Sequence, residues 1–365
     1  MEKFMKLALE LAAEFSGFTS PNPLVGAVVV KNGEIVGSGA HEKCGEAHAE
    51  VIALNKAGSR AENATLYVTL EPCNHYGETP PCTDLIISHK ISKVVCAMQD
   101  PNPLVSGRGF AKLRNAGIEV VEGVLQNEAE QLNEIFIKNI TEKKPFIILK
   151  SAITLDGKIA TGNNDAKWIS NSLAGEKVHE IRNSVDAIIV GKNTFVLDNP
   201  SLNVRLDKPV SDPYKVILSN SFDIDISTII NSKAYKLPSE KPLIICTSKQ
   251  DISAEKLKEF AKQQIIVINH KKKNLEDLLG KLLKMGIYSI LLEGGSGIYT
   301  SFIKEKLVDK IILFQAPKII GDDGISWMRE LHIKSMQEAI TFQNIASELI
   351  GDNIMITIYP QKQEA

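Results

Sequence analysis

His48-Ala49-Glu50, then Glu71-Pro72-Cys73, then Pro80-Pro81-Cys82 form the stretch on which the reading of the whole chain turns. A histidine, two cysteines and a carboxylate that need not be a ligand are the parts of an open zinc site. Catalytic zinc takes about three protein ligands and keeps one position for water, and His with two Cys is such a set. The glutamate left over is then available to move protons.

The spacing narrows the chemistry. Zinc deaminases carry His-x-Glu followed by Pro-Cys-x-x-Cys, with the glutamate as acid and base rather than ligand. Here the first half is complete and Pro72-Cys73 is present, but the second thiol arrives only at Cys82, after an inserted loop. Removing an amine from an aminopyrimidine needs hydroxide at neutral pH and a proton for departing ammonia. Zinc lowers the pKa of its water from about 15.7 toward 7, and Glu50 is the group to carry the proton.

Both cysteines follow proline, which suits the first turn of a helix. A helix N-terminus favours the thiolate, the metal-binding form. Residues two apart on a regular helix point to opposite sides. His48 and Glu50 therefore share a site only if His48 stands at the start of its helix. His75 offers an alternative: as a fourth ligand it would close the site into a structural one, which has no use for Glu50.

The chain has 365 residues, room for about two domains. Apolar content of 44% and charged content of 24% are those of a globular protein. A net charge of −2 gives no basic footprint for nucleic acid. No apolar run reaches the roughly 18 residues of a membrane span, and the start lacks the pattern of a signal peptide. Five cysteines, two in a metal motif, suit a reducing cytoplasm.

In the first half, helical spacing of Leu7, Ala8, Leu11, Ala12 and Phe15 precedes a Pro21-Asn22-Pro23 turn. Asn22 is either a plain turn residue or a contact for substrate amide or ribose. Asn32-Gly33 predicts a hairpin after a strand at 27–30. Helices are expected at 48–57, 83–88 and 127–140, and strands at 65–70, 93–98 and 118–121. Alternating strands and helices predict an α/β layered domain.

Pro21-Asn22-Pro23-Leu24-Val25-Gly26, His48-Ala49-Glu50, Glu71-Pro72-Cys73 with Gly77-x-Thr79-Pro80-Pro81-Cys82, and Asp100-Pro101-Asn102-Pro103 with Gly107-x-Gly109 resemble the deaminase half of the bifunctional riboflavin-biosynthesis deaminase/reductases. The long loop between the cysteines is the form that family uses. The resemblance implies a cytidine-deaminase-like three-layer α/β/α domain, His48, Cys73 and Cys82 on zinc, and Glu50 as catalytic residue. His41 and Lys43 are guesses for the phosphate of a small phosphorylated pyrimidine.

Glu142-Lys143-Lys144-Pro145 is a charged hinge, and the boundary is placed there, giving domains 1–144 and 145–365. Strands are expected at 146–152, 186–190, 214–218, 243–247 and 265–268, and a helix at 173–182. Ile290-Leu291-Leu292-Glu293-Gly294-Gly295-Ser296-Gly297 reads as strand, glycine turn and helix start. Such a turn makes an anion site. It is neither a Walker loop nor a full dinucleotide fingerprint, and alone it is equally a plain tight turn.

Leu149-Lys150, Leu155-Asp156-Gly157, Trp168-Ile169-Ser170, Gly191-x-x-Thr194, Asp198-x-Pro200, Leu202-x-Val204-Arg205 and Glu293-Gly294-Gly295 resemble the reductase half of the same family. That implies a dihydrofolate-reductase-like α/β domain using NADPH. Carried across by position, cofactor contacts fall on Ala152, Trp168, Thr194, Asp198, Asn220, Gly295, Ser296, Gly297, Ile298, Tyr299, Thr300 and Ser301. Substrate contacts fall on Ala166, Arg182, Leu202, Arg205 and Glu293. Ala166 stands where serine is expected. Trp168 reads equally as a core aromatic, and either arginine alone as a surface salt bridge. The expected assembly is a homo-oligomer, dimer or tetramer. A nucleic-acid deaminase, for which a basic stripe is missing, and a zinc-stabilised binding protein are the rival readings.

Overall fold

The computed structural model describes residues 1–74, 80–103, 105–167 and 169–361, and every count below is of these residues. The chain divides into two compact units, Met1–Lys143 and Lys144–Ala365.

In the first unit, α1 (Glu2–Ala13) precedes β1 (Gly26–Lys31), β2 (Glu34–Ala40), α2 (Ala49–Ala57) and β3 (Thr65–Leu70). Then come α3 (Cys82–Ser88), β4 (Lys93–Met98), α4 (Arg108–Asn115), β5 (Glu119–Val121), α5 (Gln126–Leu132) and α6 (Glu134–Glu142). The sheet order is β2-β1-β3-β4-β5. β1 runs antiparallel to β2 and β3, while β3, β4 and β5 are parallel. Asn32 and Gly33, with φ of 52° and 84°, make the hairpin turn that Asn-Gly favours.

Helices cover both faces of this sheet. α2 lies directly on β2 because Gly37 has no side chain: a Cβ there would sit 2.2 Å from the Ala53 carbonyl oxygen. Buried Val28, Leu66, Val68, Val94 and Leu113 form the core with Ala49 and Ala53. Each large apolar side chain so buried contributes about 1.5–3 kcal/mol.

The helix expected at 127–140 is two. Asn133 breaks it, accepting from the Leu24 N–H at 2.8 Å and donating to the Leu24 carbonyl at 3.0 Å. That pairing across the fold outweighs helical continuity.

In the second unit β6 (Phe146–Thr154), β7 (Lys158–Ala160), α7 (Ser172–Asn183), β8 (Ala187–Gly191), α8 (Lys192–Asp198) and β9 (Tyr214–Leu218) come first. α9 (Ile226–Ile230), α10 (Lys233–Lys236), β10 (Leu243–Thr247), α11 (Ala254–Lys262), β11 (Ile266–Asn269) and α12 (Leu275–Lys284) follow. The chain continues with β12 (Ser289–Glu293), α13 (Ser296–Lys304), β13 (Lys310–Ala316), β14 (Ile325–Ser326), β15 (Phe342–Ile350) and β16 (Asn353–Pro360).

Nine strands form one sheet, ordered β11-β10-β9-β8-β12-β6-β13-β16-β15. All are parallel from β11 to β13, and the last two close antiparallel. Strands covered on both faces read as apolar runs, as β10 and β12 do. The edge hairpin of β15 and β16 was not visible in the sequence. β15 is exposed along most of its length, so no alternation of burial marks it. No helix among the described residues is long and apolar enough to cross a membrane.

Candidate active sites

The first site gathers at the start of α2 and the carboxyl end of β3. His48 is the N-cap of α2, with extended backbone at φ −69° and ψ 157°. Its ring is therefore off the helical path, and His48 and Glu50 can face one place. Nδ1 of His48 lies 3.2 Å from the Cys82 sulfur and 3.7 Å from the Cys73 sulfur. All three donor atoms lie within 4.8 Å of one another. Zinc bonds of about 2.0 and 2.3 Å to nitrogen and sulfur fit such a set.

Cys82 opens α3, after Pro81 as N-cap. Cys73 does not start a helix; it follows β3 in irregular backbone. Its environment comes instead from its partners. The Cys82 thiol, the His48 ring and the Cys82 N–H, at 3.3 Å, bond its sulfur. They hold the Cys73 thiol down to about 4, with the bond to Cys82 the largest cause. Cys82, sharing that bond and buried, is pushed up. Glu50 is buried, and burial, then the Cys73 charge, raise its pKa. His75, Gly77 and Thr79, named above, lie outside the described residues.

Two neighbours complete this site. His41 is buried, and burial lowers its pKa. Its Nδ1 lies 3.2 Å from the Ala47 carbonyl, which can only accept, so Nε2 is left to accept from the Asn22 amide at 3.1 Å. The His41 and His48 rings meet edge to face, centroids 5.8 Å apart. Lys43 is exposed.

Glu71 has no role legible in the sequence. In the fold its buried carboxylate accepts from the backbone N–H groups of Asp100, Gly107, Gly109 and Phe110, at 2.8–3.4 Å. It ties Asp100 and residues 107–110 to the backbone just after β3, two residues before Cys73.

The second site is a cavity of about 740 Å³ at the carboxyl ends of β6, β8, β9 and β12. Open parallel sheets bind ligands at that edge. Of the expected cofactor residues, Ala152, Thr194, Asp198, Asn220, Gly295, Ser296, Gly297, Ile298, Tyr299 and Ser301 line it. Ala166, Leu202 and Glu293 line it from the substrate set. Trp168 lies outside the described residues.

Gly294 turns with φ 136° and packs so closely on Thr194 that a Cβ would sit 2.9 Å from its side chain. Leu202 holds φ 50°, a strained value for a non-glycine residue, at the cavity wall. Three expected contacts do not line the cavity. The Thr300 hydroxyl bonds the Ser296 carbonyl and the Arg329 N–H instead. Arg182 acts through Glu293, donating to both carboxylate oxygens at 2.8 and 2.6 Å. Arg205 is exposed and donates to Asn203 Oδ1 at 2.8 Å.

Charge is concentrated here. Burial would raise Glu293, but the Arg182 charge and its hydrogen bonds hold it at about 2. Burial lowers Lys150, against the pull of Glu293. His179, beside Arg182 and Arg205, is lowered to about 4 by burial and then by those two charges. Tyr299 lines the wall, but its hydroxyl donates to the Lys150 carbonyl at 2.6 Å and accepts from Gly294 N–H at 2.9 Å. Lys150, Lys192 and Arg329 were not singled out as contacts in the sequence, though all three line the cavity.

Comparison with known proteins places both units. Residues 145–356 match the family described as RibD C-terminal domain. The chain belongs to the RibD family. Residues 1–98 match the cytidine and deoxycytidylate deaminase zinc-binding region. The riboflavin biosynthesis protein RibD of Aquifex aeolicus is 46% identical over 97% of each chain. That of Escherichia coli is 37% identical, covering 88% of this chain and 89% of its own. A Thermotoga maritima structure titled as a diaminohydroxyphosphoribosylaminopyrimidine deaminase/5-amino-6-(5-phosphoribosylamino)uracil reductase superposes with TM-score 0.84 at 37% identity, covering 99% and 98%. Acinetobacter baumannii RibD gives 0.86 at 34%, covering 99% of each chain. The chain is thus a zinc-dependent deaminase fused to an NADPH-using reductase of riboflavin biosynthesis, with a cytidine-deaminase-like first unit.

Proposed function

We propose that the chain carries out two consecutive steps on one pyrimidine. Domain 1–144 hydrolytically deaminates 2,5-diamino-6-ribosylamino-4(3H)-pyrimidinone 5′-phosphate. Domain 145–365 then reduces the ribosyl group of the product to ribityl with NADPH, giving 5-amino-6-ribitylaminouracil 5′-phosphate. The observation that carries the first step is the trio of His48, Cys73 and Cys82 donor atoms within 4.8 Å, beside a buried carboxylate.

His48 and the two thiolates hold the metal. Zinc, when bound, acidifies water and so supplies a nucleophile at neutral pH. Glu50 takes one proton from water and gives it to the ring nitrogen, then carries the proton of the added hydroxyl to the leaving amine as the carbonyl forms. Asn22, its amide nitrogen fixed by His41, offers its amide oxygen to a substrate N–H.

In the second domain, ten residues of the proposed cofactor set and Ala166, Leu202 and Glu293 of the proposed substrate set line one cavity, which supports this reading. NADPH, when bound, supplies hydride to the ribosyl carbon. Ala152, Thr194, Asp198, Asn220, Gly295 and the first turns of α13 hold the cofactor, and Trp168 belongs to the same set. Ala166, Leu202, Arg205 and Glu293 hold the substrate, with the exposed Arg205 fork suited to its phosphate. Arg182 fixes Glu293 in place.

The enzyme works in the cytoplasm, in keeping with five unpaired cysteines, Cys44 among them exposed. It assembles as a homo-oligomer, dimer or tetramer; the exposed Ile345 and Leu349 on the edge strand support this, and light scattering tests it. The deciding experiment is the purified protein with the pyrimidine substrate, with and without NADPH, following ammonia and cofactor oxidation separately. Ammonia must appear without NADPH, and oxidation must follow it. Oxidation with no ammonia would refute the order of steps.

A further inference from the structure

Lys150, Lys192 and Arg329 are the cations lining the second cavity among the described residues. Two have charged company. Lys192 pairs with Asp223 at 2.6 Å. Lys150 faces Glu293 and lies 5.9 Å from the centre of the Phe314 ring. Arg329 has no carboxylate partner among the described residues. Its one side-chain hydrogen bond runs from Nε to Ser296 Oγ, at 3.3 Å.

Arg329 is nevertheless held in place. Its backbone N–H donates to the Thr300 hydroxyl at 2.8 Å, and that hydroxyl donates to the Ser296 carbonyl at 2.7 Å. The guanidinium lies across Gly297, where a Cβ would come within 3.4 Å of its Cζ and 3.5 Å of Nη2. Both Nη groups donate to nothing among the described residues. A guanidinium anchored at Nε, with its outer fork open to a cavity, suits two oxygens of a phosphate.

We infer that Arg329 determines cofactor affinity by gripping the pyrophosphate of the nicotinamide dinucleotide. The inference rests on the reading of this cavity as the NADPH site. Pyrophosphate is favoured over the 2′-phosphate because Arg329 is tied to Ser296 and Gly297, at the glycine turn where pyrophosphates sit in α/β nucleotide sites.

The test is calorimetric titration of the full chain with NADPH and with NADH, for wild type, Arg329→Gln and Arg329→Lys. Arg329→Gln should raise both dissociation constants by the same factor, about tenfold, the size of one charge-assisted contact at a partly exposed site. Arg329→Lys, which keeps charge but not the fork, should recover only part. Added salt should weaken wild-type binding more steeply than that of Arg329→Gln. Circular dichroism and the unfolding midpoint of each variant establish that the fold is intact. Unchanged binding in a folded Arg329→Gln overturns the proposal. So does a loss confined to NADPH, which would put the 2′-phosphate under Arg329. If wild type binds neither dinucleotide, the cofactor reading falls and the role of Arg329 with it.

Discussion

Arg182 donates to both carboxylate oxygens of Glu293, at 2.8 and 2.6 Å, from a helix 111 residues away in the chain. The two side chains are 13% and 11% exposed, so each supplies the counter-charge that the other's burial requires. Glu293→Gln would strand a buried guanidinium. We expect a loss of about 3–5 kcal/mol of stability in urea unfolding. A change under 1 kcal/mol would mean that Arg182 finds solvent as easily without its partner.

The same pair sets an acid limit. Glu293 is held at about 2, below its ordinary value of 4.5. Between those values the unfolded chain binds the proton that the folded chain refuses. Stability from this group is therefore complete above about 4.5 and lost as pH falls toward 2. Glu293→Gln should show a shallower acid decline over that range, and parallel curves would contradict it.

His179 gives a second window, higher up. It is lowered to about 4 by burial and the charges of Arg182 and Arg205, and its Nδ1 accepts from the Arg205 N–H at 3.2 Å. Folding keeps it neutral, whereas the unfolded chain protonates it below about 6.5. Its contribution is complete above 6.5 and falls away toward pH 4. His179→Gln should flatten the stability curve between those values. Chemical shifts of the ring that titrate near 6.5 in the folded protein would refute this.

Glu71 is expected to act on the segment it anchors. Glu71→Gln retains one oxygen but loses the charge that accepts from Asp100, Gly107, Gly109 and Phe110. The variant should lose about 1–3 kcal/mol, the worth of bonds to a buried charge. Amide exchange at Gly107 and Gly109 should quicken well before global unfolding. Exchange as slow as in wild type would show that the segment is held elsewhere.

Zinc removal should separate the two activities. Chelator-treated protein should release no ammonia, yet bind NADPH as before, because the second cavity contains no residue of the zinc trio. Glu50→Gln should retain zinc and lose deamination about 100-fold or more. A variant that deaminates normally would remove Glu50 from the proton path.

Much of the fold was legible because local rules and tertiary demands agree. Strands 65–70, 93–98, 214–218 and 243–247 are buried β-rich runs, and the structure has strands at those residues. The Asn32-Gly33 turn needs only its own backbone preference. Where a distant partner decides, sequence fell short. Asn133 splits a helix because Leu24 offers it a carbonyl and an N–H, and neither residue announces the other. Cys73 follows proline yet starts no helix, since the backbone after β3 runs irregularly there.

The sequence by itself determined which chemistry was available: one imidazole, two thiols and a spare carboxylate, then a glycine turn after an apolar strand. These are matters of residue type and spacing, which hold before the chain folds. Only the tertiary structure decided which groups meet. It put His48 at the first bend of its helix so that Glu50 shares its side, used up Arg182 on Glu293, and brought Arg329 across 33 residues to Ser296. A charge's effect depends on what lies within a few ångströms of it, and in a folded chain those neighbours are distant in sequence.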